Sequence, residues 1–134
     1  ARVHAAIFRE ARIHGHPLRP PACILSGGET TVTLHGKGKG GRNQEFSLAV
    51  ALFLEGEKDI HFLSAGTDGT DGPTGIAGAI VDGRTIQRAE EAGIDIFESL
   101  SKHDSSHVAI KLKDAVYTYP TDTNVMDLYL MVIL

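Results

Sequence analysis

The chain has 134 residues, 42% of them hydrophobic and 22% charged, the composition of one ordinary globular domain with a single core. Its net charge of −4 is the wrong sign for a general nucleic-acid binder, because phosphate-backbone binding rests on basic counter-charge. No apolar run approaches the ~20 residues needed to span a bilayer, and the N-terminus lacks the apolar core of a secretory signal. Small-molecule or protein partners are therefore expected, with no nucleic acid and no membrane. The single cysteine, Cys23, excludes an intrachain disulfide; its apolar neighbours predict a buried thiol and a reducing, cytoplasmic setting.

Residues 2–14 mix apolar Val3, Ala6, Ile7 and Ala11 with charged positions at helical spacing, predicting a helix that ends at Gly15. The stretch 15–21 carries three prolines and reads as a linker. Residues 22–26 and 30–35 predict two strands around a Gly27-Gly28 turn, too closely connected to be parallel. Residues 44–54 are apolar almost all round, predicting a helix buried against a sheet, with Asn43 as its N-cap. Strands follow over 60–64 and 77–81, then a helix over 84–92. Asp95 with Glu98 three residues later signals a second helix start, and Asp104 a third. Residues 115–118 and 128–134 are the last predicted strands, the final one apolar enough to be central. Strands alternating with helices predict an α/β layered domain with a mixed β-sheet and packed helices.

Three loops could carry chemistry. In the first, 36–43, Gly38, Gly40 and Gly41 allow backbone N–H groups to converge on an anion at a helix start, while Lys37, Lys39 and Arg42 add full charges. Phosphate is the natural guest, and a flexible connection with solvated lysines is the alternative. The Gly-Lys-Ser/Thr of a P-loop is absent; a formal G-x-G-x-x-G match lacks the acidic residue about 20 positions on that a ribose contact needs. In the second loop, 66–75, Asp68 and Asp71 could hold Mg²⁺ directly or through water, or could equally build a local turn. The third, 119–125, has a similar composition and the same two readings. His103 and His107 read as surface residues, since two histidines alone do not make a metal site.

Taken together, SGGETTVTLHGKGKGGRNQEFSLAVAL (26–52), SAGTDGTDGPTGIAGAIVDG (64–83) and TDTNVMDL (121–128) resemble the MOFRL domain, the C-terminal module of the glycerate 2-kinase family. Some members of that family carried the older label hydroxypyruvate reductase. The resemblance covers about residues 22–134 and implies that 1–21 are the tail of a preceding Rossmann-like N-terminal domain plus a linker. It also implies phosphoryl transfer from ATP to D-glycerate, giving 2-phosphoglycerate, with Mg²⁺ as the accompanying metal.

By motif position the resemblance points to Arg42 and Asp68 as catalytic residues, and to Asp68 and Asp71 as metal ligands. Gly38, Lys39, Gly40, Gly41, Asn43, Glu45, Thr67, Thr123 and Asn124 are implied to bind substrate or phosphate. Phosphoryl transfer is catalysed chiefly by positioning and by neutralising charge on equatorial oxygens, which an arginine beside a glycine cradle and carboxylates near a metal can supply. The sequence departs from the family pattern where Tyr119 and Asp122 replace usual glycines, Gly75 replaces an acidic residue, and 102–107 replaces an Asn-Asp-Ser run. Two other functions remain open: a nicotinamide-dependent hydroxypyruvate reductase, suggested by the glycine match, and a non-catalytic ligand-binding module, suggested by the departures.

Overall fold

The computed structural model describes residues 1–33 and 35–134. Helix α1 (Arg2–His14) stops at Gly15, whose left-handed backbone (φ 72°) returns its N–H to the Ala11 carbonyl, a conformation glycine adopts without a Cβ penalty. Ala5, Phe8 and Ala11 form its buried face. Phe8 is fully buried and meets Phe62 edge-on at 6.3 Å, a burial that stabilises by about 1.5–3 kcal/mol. Residues 1–21, expected as tail and linker, thus divide: α1 joins the core, and 15–21 form an irregular connection.

Strand β1 (Ala22–Gly28) is followed by the long connection 29–41 and helix α2 (Arg42–Leu54). Strands β2 (Ile60–Gly66) and β3 (Gly78–Asp82) precede three short helices, α3 (Thr85–Glu91), α4 (Ile96–Ser101) and α5 (Ser105–Leu112); β4 (Ala115–Val116) and β5 (Asp127–Ile133) complete the sheet. The expected hairpin after β1 does not form. Gly27 and Gly28 continue the strand opposite Leu128 and Asp127, and residues 29–33 and 35 carry no strand, Leu34 lying outside the described residues. The reason is competition: β5 occupies all seven register positions of β1, so the partner expected from 30–35 comes from the far end of the chain.

The layered α/β arrangement is as expected, but the sheet is not mixed. Its order is β1-β5-β2-β3-β4, with every neighbouring pair antiparallel. Helix α2 joins β1 to β2, which run the same way as crossover strands do; β5 is inserted between them and runs against both. The apolar last strand is therefore flanked on both sides, as its composition predicted. Along β5, Asp127, Tyr129, Met131 and Ile133 are buried, while Leu128, Leu130 and Val132 lie on the opposite face and are partly covered.

The core lies between the sheet and α2, where Leu48, Val50, Ala51 and Leu54 pack with Ile60, Phe62, Val81 and Met131. On the other face Leu25, Leu130, Leu63 and Ile80 align in one cross-strand row, with Leu25 and Ile80 exposed. Cys23 sits on this face of the edge strand and is exposed, not buried as expected. Its apolar neighbours in sequence alternate across the strand, so they cannot cover it.

Candidate functional site

Three segments meet where α2 begins: the glycine-rich connection, the loop leaving β2, and the turn between α4 and α5. They enclose a cleft of about 430 Å³. Of the residues expected at a site, Gly38, Gly40, Gly41, Arg42, Glu45, Asp68 and Asp71 line it, joined by Val32, Thr70, Gly72, Pro73 and His103. Lys39, Asn43, Thr67, Thr123 and Asn124 are not on its walls.

The start of α2 is organised by two acids. Gly41, not Asn43, is the N-cap, and it has no side chain to cap with. Asp71 reaches in from the β2–β3 loop and accepts hydrogen bonds from Asn43 N (3.0 Å) and Gln44 N (2.9 Å). The same carboxylate takes Gln44 Nε2 at 2.9 Å and Asn43 Nδ2 at 3.3 Å. The anion-attracting end of the helix is thus filled by the protein's own carboxylate, and Asp71, with four donors on it and 3% exposure, is a capping group and not an open metal ligand. Asn43 is equally committed: Nδ2 also donates to Asp127 at 2.9 Å, and Oδ1 accepts from Ser64 Oγ at 2.6 Å. Both of its side-chain polar atoms are engaged within the protein, and the residue is 1% exposed.

Asp127, at the head of β5, is the second acid. Its buried carboxylate accepts from Arg42 Nε (2.7 Å) and Nη2 (3.0 Å), and Arg42 Nη1 lies 2.9 Å from Glu29 on the rim. The hydrogen bond to Asp127 raises the Arg42 pKa above its ordinary value, against a lesser lowering by burial. Arg42 therefore lines the cleft already matched by two carboxylates, with its side chain 36% exposed. The sequence reasoning passed over Asp127. A signal was available, since an acid opening an apolar central strand is buried only if paired.

The glycine loop lies on the α4–α5 turn. Gly38 N donates to Lys102 O at 2.9 Å, Lys39 N to Asp104 Oδ1 at 3.1 Å, and Ser106 N to Lys39 O at 3.0 Å. A Cβ on Gly38 would run into the backbone of Lys102, His103 and Asp104, so glycine is required there by close approach. Asp104 occupies the N-cap position of α5 as predicted, but its side chain serves the loop and makes no capping bond, whereas Asp95 caps α4 with its side chain, accepting from Glu98 N at 3.0 Å. His103, expected on the surface, faces the cleft and hydrogen-bonds Glu45 Oε1 through Nδ1 at 2.7 Å.

The second and third loops are stitched together. Thr67 Oγ1 donates to Met126 O (2.7 Å) and accepts from Val125 N (2.8 Å), which spends that hydroxyl on structure. Asn124 Nδ2 approaches Asp68 Oδ2 at 3.5 Å, and Asp68 Oδ1 accepts from Thr70 N at 3.0 Å. Thr123 takes part through its backbone groups, which bond Thr121 Oγ1. Tyr119 and Asp122 have φ of 61° and 56°, the left-handed region that favours glycine.

The chain is thus a layered α/β domain in which a glycine-rich loop and an Asp-rich loop meet at a cleft beside the start of a buried helix. Residues 22–127 match the MOFRL family, and the chain belongs to that family. It is 46% identical over 124 residues to a D-glycerate 2-kinase of Thermotoga maritima, covering 92% of this chain and 30% of the relative. It is 40% identical over 129 residues to a glycerate 2-kinase of Pyrococcus horikoshii, covering 96% and 29%, and 45% identical over 128 residues to a putative hydroxypyruvate reductase of Agrobacterium vitis, covering 94% and 33%. The crystal structure of a Thermotoga maritima glycerate kinase superposes with a TM-score of 0.96 at 44% identity, over 99% of this chain and 32% of that one. The chain spans about a third of the length of the relatives it matches.

Proposed function

We propose that this chain is the C-terminal domain of an ATP-dependent glycerate 2-kinase, which moves the γ-phosphoryl group of ATP to the 2-hydroxyl of D-glycerate, giving 2-phosphoglycerate and ADP. A Rossmann-like N-terminal domain supplies the facing wall of the cleft, and the enzyme works in the cytoplasm. The observation that carries this reading is the convergence of Gly40, Gly41, Arg42 and Asp68 on one cleft, in a chain whose relatives are named glycerate 2-kinases. Among the described residues no protein group takes the Gly40 or Gly41 N–H, so both can donate to a phosphoryl oxygen. Arg42 adds its Nη edge to the same anion, and Lys39 adds charge from the loop.

Mg²⁺ fits the donor set. Glu45, Asp68 and Asp71 line the cleft while Arg42 is already matched by Asp127 and Glu29, so a polyphosphate needs further positive charge to enter. Mg²⁺ in phosphoryl-transfer sites is held by one or two carboxylates together with the substrate phosphates, and Asp68 is a cleft carboxylate that can serve. Asp68, with Asn124 steadying it, is the carboxylate best placed to hold it; the ion would neutralise charge on the transferring group.

The reductase reading has less support. The formal G-x-G-x-x-G lies in a 13-residue connection resting on the α4–α5 turn, in an antiparallel sheet, whereas a dinucleotide fingerprint needs a tight turn inside a parallel βαβ unit. The test is to assay the complete enzyme with D-glycerate, ATP and Mg²⁺, and separately with hydroxypyruvate and NADH. Formation of 2-phosphoglycerate is expected. NADH oxidation without phosphorylation would overturn the kinase reading, and inactivity in both assays would favour a non-catalytic module.

A further inference from the structure

The glycine loop does not hold its own shape; it is laid on the turn that joins α4 to α5. Among the described residues, His103 is the one residue of that turn that binds the loop and α2 at once through its side chain. Its Nε2 accepts from the backbone N–H of His35 at 3.1 Å, and its Nδ1 lies 2.7 Å from Glu45 Oε1. A ring nitrogen that accepts from a backbone N–H carries no proton, so the proton resides on Nδ1 and is donated to Glu45. Both side chains are largely covered, at 13% and 15% exposure. The backbone of His103 is left-handed, φ 57°, a conformation uncommon outside glycine that histidine adopts more readily than most residues. The contacts on either side of the ring hold it in place.

We propose that His103, oriented by Glu45, is a positioning residue for the glycine loop, setting where the free amides of Gly40 and Gly41 meet the phosphoryl donor. This rests on the kinase reading. Glu45, expected to bind substrate directly, acts through the imidazole. The turn 102–107, which departs from the family pattern, becomes the element that shapes the site. An alanine at 103 removes both bonds. A glutamine can restore them, because its amide presents one donor and one acceptor at about the separation of the two ring nitrogens.

The test uses the complete enzyme. His103→Ala should raise the KM for MgATP about tenfold, the equivalent of ~1.4 kcal/mol, with kcat changed less than about threefold, and His103→Gln should bring KM most of the way back. Trypsin, which cuts after Lys37 and Lys39, should cut the alanine variant faster than the wild type and the glutamine variant. If His103→Ala does not fold, His103→Asn takes its place: it suits the left-handed backbone and reaches Glu45 but not the His35 N–H, and the same rise in KM and in cutting is expected. Unchanged KM and unchanged cutting would overturn the proposal, as would a fall in kcat at constant KM or a glutamine variant no better than alanine. If the wild-type enzyme does not phosphorylate glycerate, the kinase reading fails, and the tryptic comparison alone decides whether His103 holds the loop.

Discussion

Replacing Asp127 by alanine removes the acceptor of three hydrogen bonds at once: Arg42 Nε, Arg42 Nη2 and Asn43 Nδ2, at 2.7, 3.0 and 2.9 Å. Breaking a buried ion pair from one side costs about 3–5 kcal/mol, because the remaining charge is left without a partner. Here the remaining charge has an exit. The Arg42 side chain is 36% exposed and already touches Glu29, so part of the loss is recovered in solvent-screened contacts. A cost of about 2–3 kcal/mol is expected for Asp127→Ala, a large share of the ~5–15 kcal/mol that holds a domain of this size. At roughly 3–5 °C per kcal/mol the melting temperature should fall by about 10 °C. Asp127→Asn keeps the shape but points an NH₂ or a single oxygen at two donors, so most of the loss should remain. Thermal unfolding by circular dichroism, together with urea denaturation, measures both variants. A loss below about 0.5 kcal/mol in Asp127→Ala would show that Arg42 and Asn43 do as well with water, and the view of Asp127 as the anchor of the site would be wrong.

In the complete enzyme Arg42→Lys should keep the fold but lose most of kcat, because an ammonium cannot hold Asp127 through two nitrogens and still offer an edge to a phosphoryl group; steady-state kinetics showing unchanged turnover would remove Arg42 from the mechanism. Tyr119→Gly and Asp122→Gly should each stabilise the chain by up to about 1 kcal/mol, since both positions hold left-handed backbone; a lower urea midpoint in both variants would contradict this. His4 packs among Phe46, Phe62 and Tyr129, and burial holds its pKa below the ordinary histidine value. The folded state thus prefers neutral His4: its contribution is full above pH ~6.5 and is lost as the pH falls through the depressed folded value. Denaturation midpoints should therefore drop more between pH 7.5 and pH 5 in the wild type than in His4→Phe, and equal drops would count against it.

Local patterns in the sequence carried the helices and the inner strands. The apolar stretch after Glu45 became α2, Asp95 capped α4, and the uninterrupted apolar run at the C-terminus became a strand flanked on both sides. What could not be read locally was which strand neighbours which. Residues 22–35 look like a hairpin until β5, about a hundred positions away, takes the whole length of β1. That insertion also turned an expected mixed sheet into an antiparallel one. At the site, residue types were legible and partners were not: Arg42, Asp68 and Asp71 were singled out, but Asp71 faces a helix end and Arg42 faces Asp127. His103 reads as a surface residue because His103 and His107 alone make no metal site, and its actual partners, His35 and Glu45, are distant in sequence.

These partners explain why so much charge can gather at one helix start. An isolated Arg42 beside the first turn of α2 would be repelled by the positive end of the helix. Asp71 fills that end, Asp127 lies beneath the guanidinium, and Asn43 donates to both carboxylates at once. Each acid is thereby satisfied by hydrogen bonds as well as by charge, which is the condition under which carboxylates can be buried. On the kinase reading, this arrangement leaves little free positive charge facing the cleft, so a highly charged phosphoryl donor must bring compensation with it. A metal-bound nucleotide does so, and the glycine amides then need only orient it. On the same reading, a further domain like the remainder of the matched relatives is a second source of positive charge. On either route, the isolated chain should bind nucleotide weakly and turn over negligibly.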